Sequence, residues 1–223
     1  MILFTLCIIA FLQVWGFRAR RSGALQSTSK TLGVAMLALW LGYNAYYFYP
    51  GNFSWGVSLP LHVCDILGPI SAIALISSNR QSRALLYFCG LTLAGQAVAT
   101  PTGNQSPEAL RFWLYWLLHA GIISFSVFDL TVRGYKPHIS DLRWVVFFDM
   151  AYAVLVTPLN IAFGWNYGYL GDHRPDAATA VDVLGPWPAR IIIMVLVAVV
   201  LQMAMYLPWL VYRNLIKKNG GFL

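Results

Sequence analysis

The chain has 223 residues, of which 59% are apolar and 10% charged. A soluble domain carries about 25% charged residues, so this composition excludes an ordinary water-soluble globule. The net charge of +7 would suit a nucleic-acid binder, but the basic residues sit in clusters between long apolar runs, which makes the charge a topology marker instead.

A membrane-crossing helix needs about 20 predominantly apolar residues. In chain order the candidate runs are 2–17, 32–49, 59–77, 84–101, 110–128, 144–164 and 189–212. Only helices and closed barrels satisfy their backbone in hydrocarbon. The expected fold is therefore all-α: one polytopic bundle of seven transmembrane helices, with residues 1–223 as a single domain. No internal repeat is visible. The first run starts at Met1 and is followed by "RARRSG". With no basic stretch ahead of it, it reads as an uncleaved anchor.

Arg18, Arg20, Arg21 and Lys30 separate runs one and two. Arg80 and Arg83 separate three and four, and Arg133, Lys136 and Arg143 separate five and six. Arg213, Lys217 and Lys218 follow run seven. Arg111, Arg174 and Arg190 fall on the opposite side. The positive-inside rule then places the N-terminus outside and the C-terminus in the cytoplasm. Cys7, Cys64 and Cys89 all lie within runs, so no disulfide framework is expected.

Helix starts are marked on the outer side. Ser58 is positioned to cap run three, with Pro60 in its first turn. Ser106 is positioned to cap run five, followed by Pro107 and Glu108. Trp55, Trp113, Trp116, Trp165, Tyr167, Tyr169 and Trp187 suit an aromatic belt at that boundary. The longest loop, 165–188, reads either as a lid over the bundle mouth or as a plain connection.

Polar residues inside the runs are costly in lipid and need partners or a wet cavity. With a rise of about 1.5 Å per residue, Cys64 and His119 lie at similar depth, roughly 9 and 10 Å from the outer ends of their runs. Asn44, Gln96 and Asn160 fall near the same level. Each of those three can equally bond one helix to another. Gln96 has Thr92 and Thr100 on its own face, which suits such a seam. Asp149, toward the inner end of run six, suits pairing with a basic residue or the cytoplasmic interface.

A cysteine attacks as thiolate and needs a base. His62, two residues from Cys64, points away from it on a regular helix. His119 on another helix is the better partner, and a Cys–His pair supports acyl transfer through a thioester. Asp65 shares a face with His62; the pair orients a histidine, binds a headgroup or satisfies itself. Gln96, Asn160 or a loop amide would serve the oxyanion.

"LPLHVCD", the histidine in "FWLYWLLHAGII", then "NYGYL" and "VDVLGPWP" together resemble the bacterial YwaF-type integral membrane family, related to animal transmembrane protein 164. The resemblance runs from about residue 40 to 212. Relatives often carry an acidic residue before the Leu-Pro, where this chain has Ser58, and a polar residue or histidine in run one, where it reads "FTLCIIAFLQ". The resemblance implies a phospholipid acyltransferase in a bacterial plasma membrane. Cys64 would be the nucleophile and His119 the base, with phospholipids and lysolipids as partners and neither cofactor nor metal. Supporting or headgroup-binding roles are expected for His62, Asp65, Gln96, Asn160, Asn166, Tyr167 and Asp182.

Other readings remain at this point. A zinc- or Cys-dependent lipid hydrolase would use the same donor types. A receptor or transporter is the non-enzymatic alternative, but run seven has no lysine for a retinal Schiff base and the inner half offers few polar residues.

Overall fold

The computed structural model describes residues 1–101, 106–173 and 180–218. The helices are α1 (Ile2–Arg21), α2 (Leu25–Phe48), α3 (Val63–Ser77), α4 (Arg80–Ala99), α5 (Leu110–Thr131), α6 (Ile139–Phe163) and α7 (Ala189–Lys218). Two 3₁₀ turns, Tyr167–Tyr169 and Ala180–Leu184, lie between α6 and α7. No strand occurs among the described residues.

All seven expected helices are present, but they do not follow hydropathy closely. Four stretches are long and apolar enough to cross a membrane: Ile2–Arg21, Leu110–Thr131, Ile139–Phe163 and Ala189–Ile216. α3 is apolar but shorter. α2 opens on the polar stretch "LQSTSKT" and α4 on "RQSR". Residues 84–90 of α4 are all buried, and a helix enclosed by other helices has no need of a lipid-facing surface. Large apolar side chains are instead exposed on α1, α6 and α7, among them Leu3, Val154 and Ile192.

α1 and α5 run in the same direction. Phe4 packs edge-on against Trp113 near their starts, with ring centroids 6.2 Å apart. Near their ends Arg20 donates to the Val132 carbonyl at 3.1 Å. Helices adjacent in sequence from α2 to α5 pack as neighbours, so α3, α4 and α5 form the middle of the bundle.

The basic end is closed by buried carboxylates. Asp129 pairs with Arg83 and Arg133, each at 2.8 Å. Asp141 takes a two-pronged contact from Arg80, at 2.8 and 2.7 Å, and a hydrogen bond from the Tyr135 hydroxyl at 3.0 Å. Helical structure therefore continues past the apolar runs there, with its polar residues paired.

Caps at the opposite, loop end differ from expectation. Ser58 does not cap α3: its hydroxyl accepts from the Ser54 amide at 2.9 Å within the α2–α3 loop. The N-cap is His62, so Pro60 lies outside the helix. Ser106 caps only a turn, accepting from the Glu108 amide at 3.3 Å, and α5 starts later at Leu110. Both serines bond locally, which the loop residues behind them make possible.

α2 and α3 cross closely at Gly33, where a Cβ would meet Ile76 Cγ1 at 2.6 Å and the Ala72 carbonyl oxygen at 3.0 Å. Further along, Gly68 leaves room for the Trp40 indole. Pro69, inside α3, has no N–H for the carbonyl four residues back. That carbonyl belongs to Asp65, and it accepts the Trp40 indole N–H at 2.7 Å. The first turn of α3 is thereby pinned to α2.

Candidate active site

α3 opens on His62, Val63, Cys64 and Asp65. The backbone of His62 is extended, at φ −70° and ψ 148°, before the helix turns. Asp65 is buried, and its Oδ2 accepts the His62 main-chain N–H at 3.2 Å, closing the cap. This carboxylate serves the helix start, the self-satisfying arrangement among those expected of it.

Around this turn lies a cavity of about 260 Å³. Cys64, His62, Asp65, Gln96 and His119 all line it. Five of the sequence-derived site residues, from α3, α4 and α5, thus meet in one chamber. His62 belongs with them because it precedes the helix, so the angular argument that turned it away from Cys64 does not apply. Among the described residues, no hydrogen bond joins Cys64 to His119.

Each histidine has one ring nitrogen committed. His119, 5% exposed, places Nδ1 2.7 Å from the Tyr115 carbonyl. A carbonyl only accepts, so Nδ1 carries the hydrogen and Nε2 keeps its lone pair. The Tyr115 ring lies against the imidazole, tilted by 35°, with centroids 4.1 Å apart. His62 is the reverse: its Nδ1 accepts the Gly168 N–H at 3.3 Å. In the neutral ring that leaves the hydrogen on Nε2. One cavity thus holds a histidine in its basic form and a histidine in its donor form.

The His62 contact depends on the "NYGYL" turn. Gly168 has φ +64°, and a Cβ there would strike the Tyr152 hydroxyl, so the position suits glycine alone. Tyr152 donates to the Leu61 carbonyl at 2.7 Å. Tyr167 is fully buried rather than at an interface. Its hydroxyl donates to the Trp55 carbonyl at 2.7 Å and accepts the Leu59 N–H at 3.0 Å. Burial raises this phenol to about 12, so it remains a donor at neutral pH.

Asn160 is not part of the chamber wall. Its Nδ2 donates to the Tyr167 carbonyl at 2.9 Å and its Oδ1 accepts the Tyr167 N–H at 3.0 Å. Through these two bonds the amide holds the turn that holds His62. Asn166 also bonds within the loop, to the His173 carbonyl at 2.7 Å and the Gly171 N–H at 3.0 Å. The side chain of Asp182 lies outside the described residues. Asn44 donates to the Trp40 carbonyl of its own helix at 2.8 Å. Thr92 and Thr100 likewise return to carbonyls of α4, and among the described residues neither bonds to another helix.

The TMEM164 family model matches residues 1–206. The chain belongs to the TMEM164 family. No curated protein and no solved structure matches it. The matched span includes every chamber-lining residue, Met194, Val195 and Ala198 of α7 among them.

Two residues of this TMEM164-family chain were not legible as structural elements of the site. Asp149 is buried and lines the chamber. Among the described residues it pairs with no basic side chain: it accepts from Gln202 Nε2 at 2.6 Å and from the Cys89 thiol at 3.6 Å. It lies roughly 21 Å along α6 from the loop end, at 1.5 Å per residue. Arg190 is 2% exposed. It donates to the Gly171 carbonyl and, at 2.9 Å, to the His173 carbonyl, tying α7 to the loop. A cation in the first turn of a helix opposes the dipole, and that was the available signal. Among the described residues, no group of three or more His, Cys, Asp or Glu side chains is arranged to hold a metal ion.

Proposed function

We propose that this chain is a membrane-embedded lipid acyltransferase that uses Cys64 and His119 through an acyl-thioester. The observation that carries the reading is the single chamber lined by both residues, one of them a histidine with a free basic Nε2. The chemistry balances without a cofactor. His119 Nε2 takes the Cys64 proton as sulfur attacks the ester carbonyl carbon of a phospholipid. The carbon–oxygen bond breaks, and His119 returns the proton to the departing lysolipid oxygen. An acceptor hydroxyl then gives its proton to His119 and attacks the thioester, and the regenerated thiolate recovers the proton. His62 Nε2–H and the Gln96 amide, both lining the chamber, would donate to the oxyanion in each half.

The membrane setting belongs to the same proposal. All seven helices span the bilayer, with the N-terminus outside and the C-terminus in the cytoplasm. The basic residues around Asp129 and Asp141 face the cytoplasm, and the chamber opens to the outer leaflet of a bacterial plasma membrane. Support comes from the positive-inside distribution and from the separation of the chamber from the paired basic end.

The test is intact-protein mass spectrometry after incubation with phospholipid vesicles. A hydroxylamine-labile acyl adduct on Cys64, absent in Cys64→Ala and trapped by omitting lysolipid, is expected. Product analysis separates transfer to lysolipid from transfer to water, which would make the protein a hydrolase. Acyl exchange that continues undiminished in Cys64→Ala overturns the covalent mechanism.

A further inference from the structure

Arg111 lies in the first turn of α5 and lines the loop end of the chamber. Among the described lining residues it is the sole lysine or arginine. Its Nε donates to the Tyr47 hydroxyl at 2.9 Å, and its guanidinium lies over the Tyr47 ring at 5.4 Å. Tyr47 is itself buried and packs against Tyr43, with centroids 4.8 Å apart. The guanidinium is thus aimed by a fixed aromatic partner.

No carboxylate neutralises it among the described residues. The three ion pairs all lie at the opposite end of the bundle. Of the carboxylates in the chamber, Asp65 caps α3 and Asp149 holds Gln202. Glu108, exposed and one turn earlier, forms no ion pair with it. The Nη groups keep their N–H donors in a planar fork, the geometry that binds phosphate oxygens in a two-pronged manner. The start of α5 adds its positive dipole end.

Arg111, Tyr115 and His119 follow at four-residue intervals, so they form one face of α5, and all three line the chamber. The spacing from Arg111 to His119 is roughly 12 Å at 1.5 Å per residue. In a glycerophospholipid the phosphate and the acyl esters are separated by only a few bonds. Hydrogen bonds of about 3 Å at either end take up part of the remainder.

We propose that Arg111 is the phosphate-binding group of the chamber: it holds the phosphodiester of a glycerophospholipid while an acyl ester lies deeper, beside His119. This rests on the lipid reading of the site but concerns binding, not transfer. It is therefore tested in Cys64→Ala protein, where no acyl group can move through the cysteine. The probes are a short-chain phosphatidylcholine, the diacylglycerol with the same chains, and inorganic phosphate. Binding is followed by native mass spectrometry, with thermal melts as a folding control.

Arg111→Gln is expected to weaken phosphatidylcholine binding about tenfold to a hundredfold, the effect of losing charge-assisted hydrogen bonds. Diacylglycerol binding should not change. Arg111→Lys, which keeps the charge and loses the fork, should fall between. Unchanged phosphatidylcholine binding in Arg111→Gln overturns the proposal, as does an equal loss for diacylglycerol. Tight inorganic phosphate binding that depends on Arg111 would assign the chemistry to free phosphate and overturn the lipid assignment. Arg111-dependent lipid binding in Cys64→Ala protein, with no acyl adduct ever forming on Cys64 of the unsubstituted chain, would fail the transferase reading alone.

Discussion

The indole N–H of Trp40 occupies the carbonyl of Asp65 at 2.7 Å, the carbonyl that Pro69 leaves without its helical donor. A proline inside a short helix would ordinarily expose a polar group where water is scarce. Here the vacancy becomes a joint between α2 and α3. It fixes the turn that carries Cys64, and Gly68 clears the space the indole needs.

This joint predicts a reciprocal effect. Trp40→Phe should leave the Asp65 carbonyl unpaired and lower stability by about 1 kcal/mol, beyond any loss of packing. Pro69→Ala restores an N–H four residues after Asp65. The double variant should therefore lose less than the sum of the single losses. Melting temperatures in detergent, read as a double-mutant cycle, check this. Strict additivity would mean that the two residues do not share the carbonyl.

Asn160 carries the second prediction. Its amide clamps both polar groups of the Tyr167 backbone. Asn160→Ala should cost about 2 kcal/mol, since two buried groups lose their partners at once. Asn160→Asp should also destabilise, because a carboxylate replaces the donor that faces the Tyr167 carbonyl. Hydrogen exchange at residues 165–171 should rise in both variants. Full stability with lost acyl transfer in Asn160→Ala would instead return Asn160 to the oxyanion.

The helices were legible because long apolar runs have few other outcomes. Their ends were less so. At the basic end, helices continue through Arg80, Arg83 and Asp141 because partners on other helices neutralise them, and such pairing is invisible in one strand of text. At the loop end, Ser58 and Ser106 have the right chemistry for caps but spend it on nearer amides.

Within the site, Cys64, Gln96 and His119 were found by counting depth along separate runs. For His62 the helical angle did not apply, because it is the extended N-cap of α3. Asn160 and Tyr167 were identified as site residues from depth and resemblance, yet they act on the loop backbone, a role that depends on how a turn folds back. The Asp149–Gln202 contact joins residues 53 apart in sequence. Neither hydropathy nor helical periodicity carries that pairing.

Asp129 gives a prediction away from the chamber. It is 2% exposed and shared by Arg83 and Arg133, whose side chains are 18% and 7% exposed. Asp129→Asn would leave two largely buried cations with a neutral partner. Removing one member of a buried pair costs about 3 kcal/mol or more. The melting temperature should drop, with little relief from added salt because the charges are shielded from solvent. A variant that melts like the parent would reduce this cluster to surface decoration.

The two histidines predict opposite tautomers in the resting protein. His119 donates from Nδ1 to Tyr115, and His62 accepts at Nδ1 from Gly168. Nitrogen-15 spectra of labelled protein distinguish the two neutral forms directly. His119 should carry its hydrogen on Nδ1 and His62 on Nε2. Each assignment is checked by losing the corresponding signal in His119→Ala or His62→Ala. A His119 hydrogen on Nε2 would remove the base that takes the Cys64 proton, and the transfer mechanism with it. A His62 hydrogen on Nδ1 would remove only an oxyanion donor, leaving Gln96 in that role. The spectrum therefore tests the base and the donor separately, before any lipid is added.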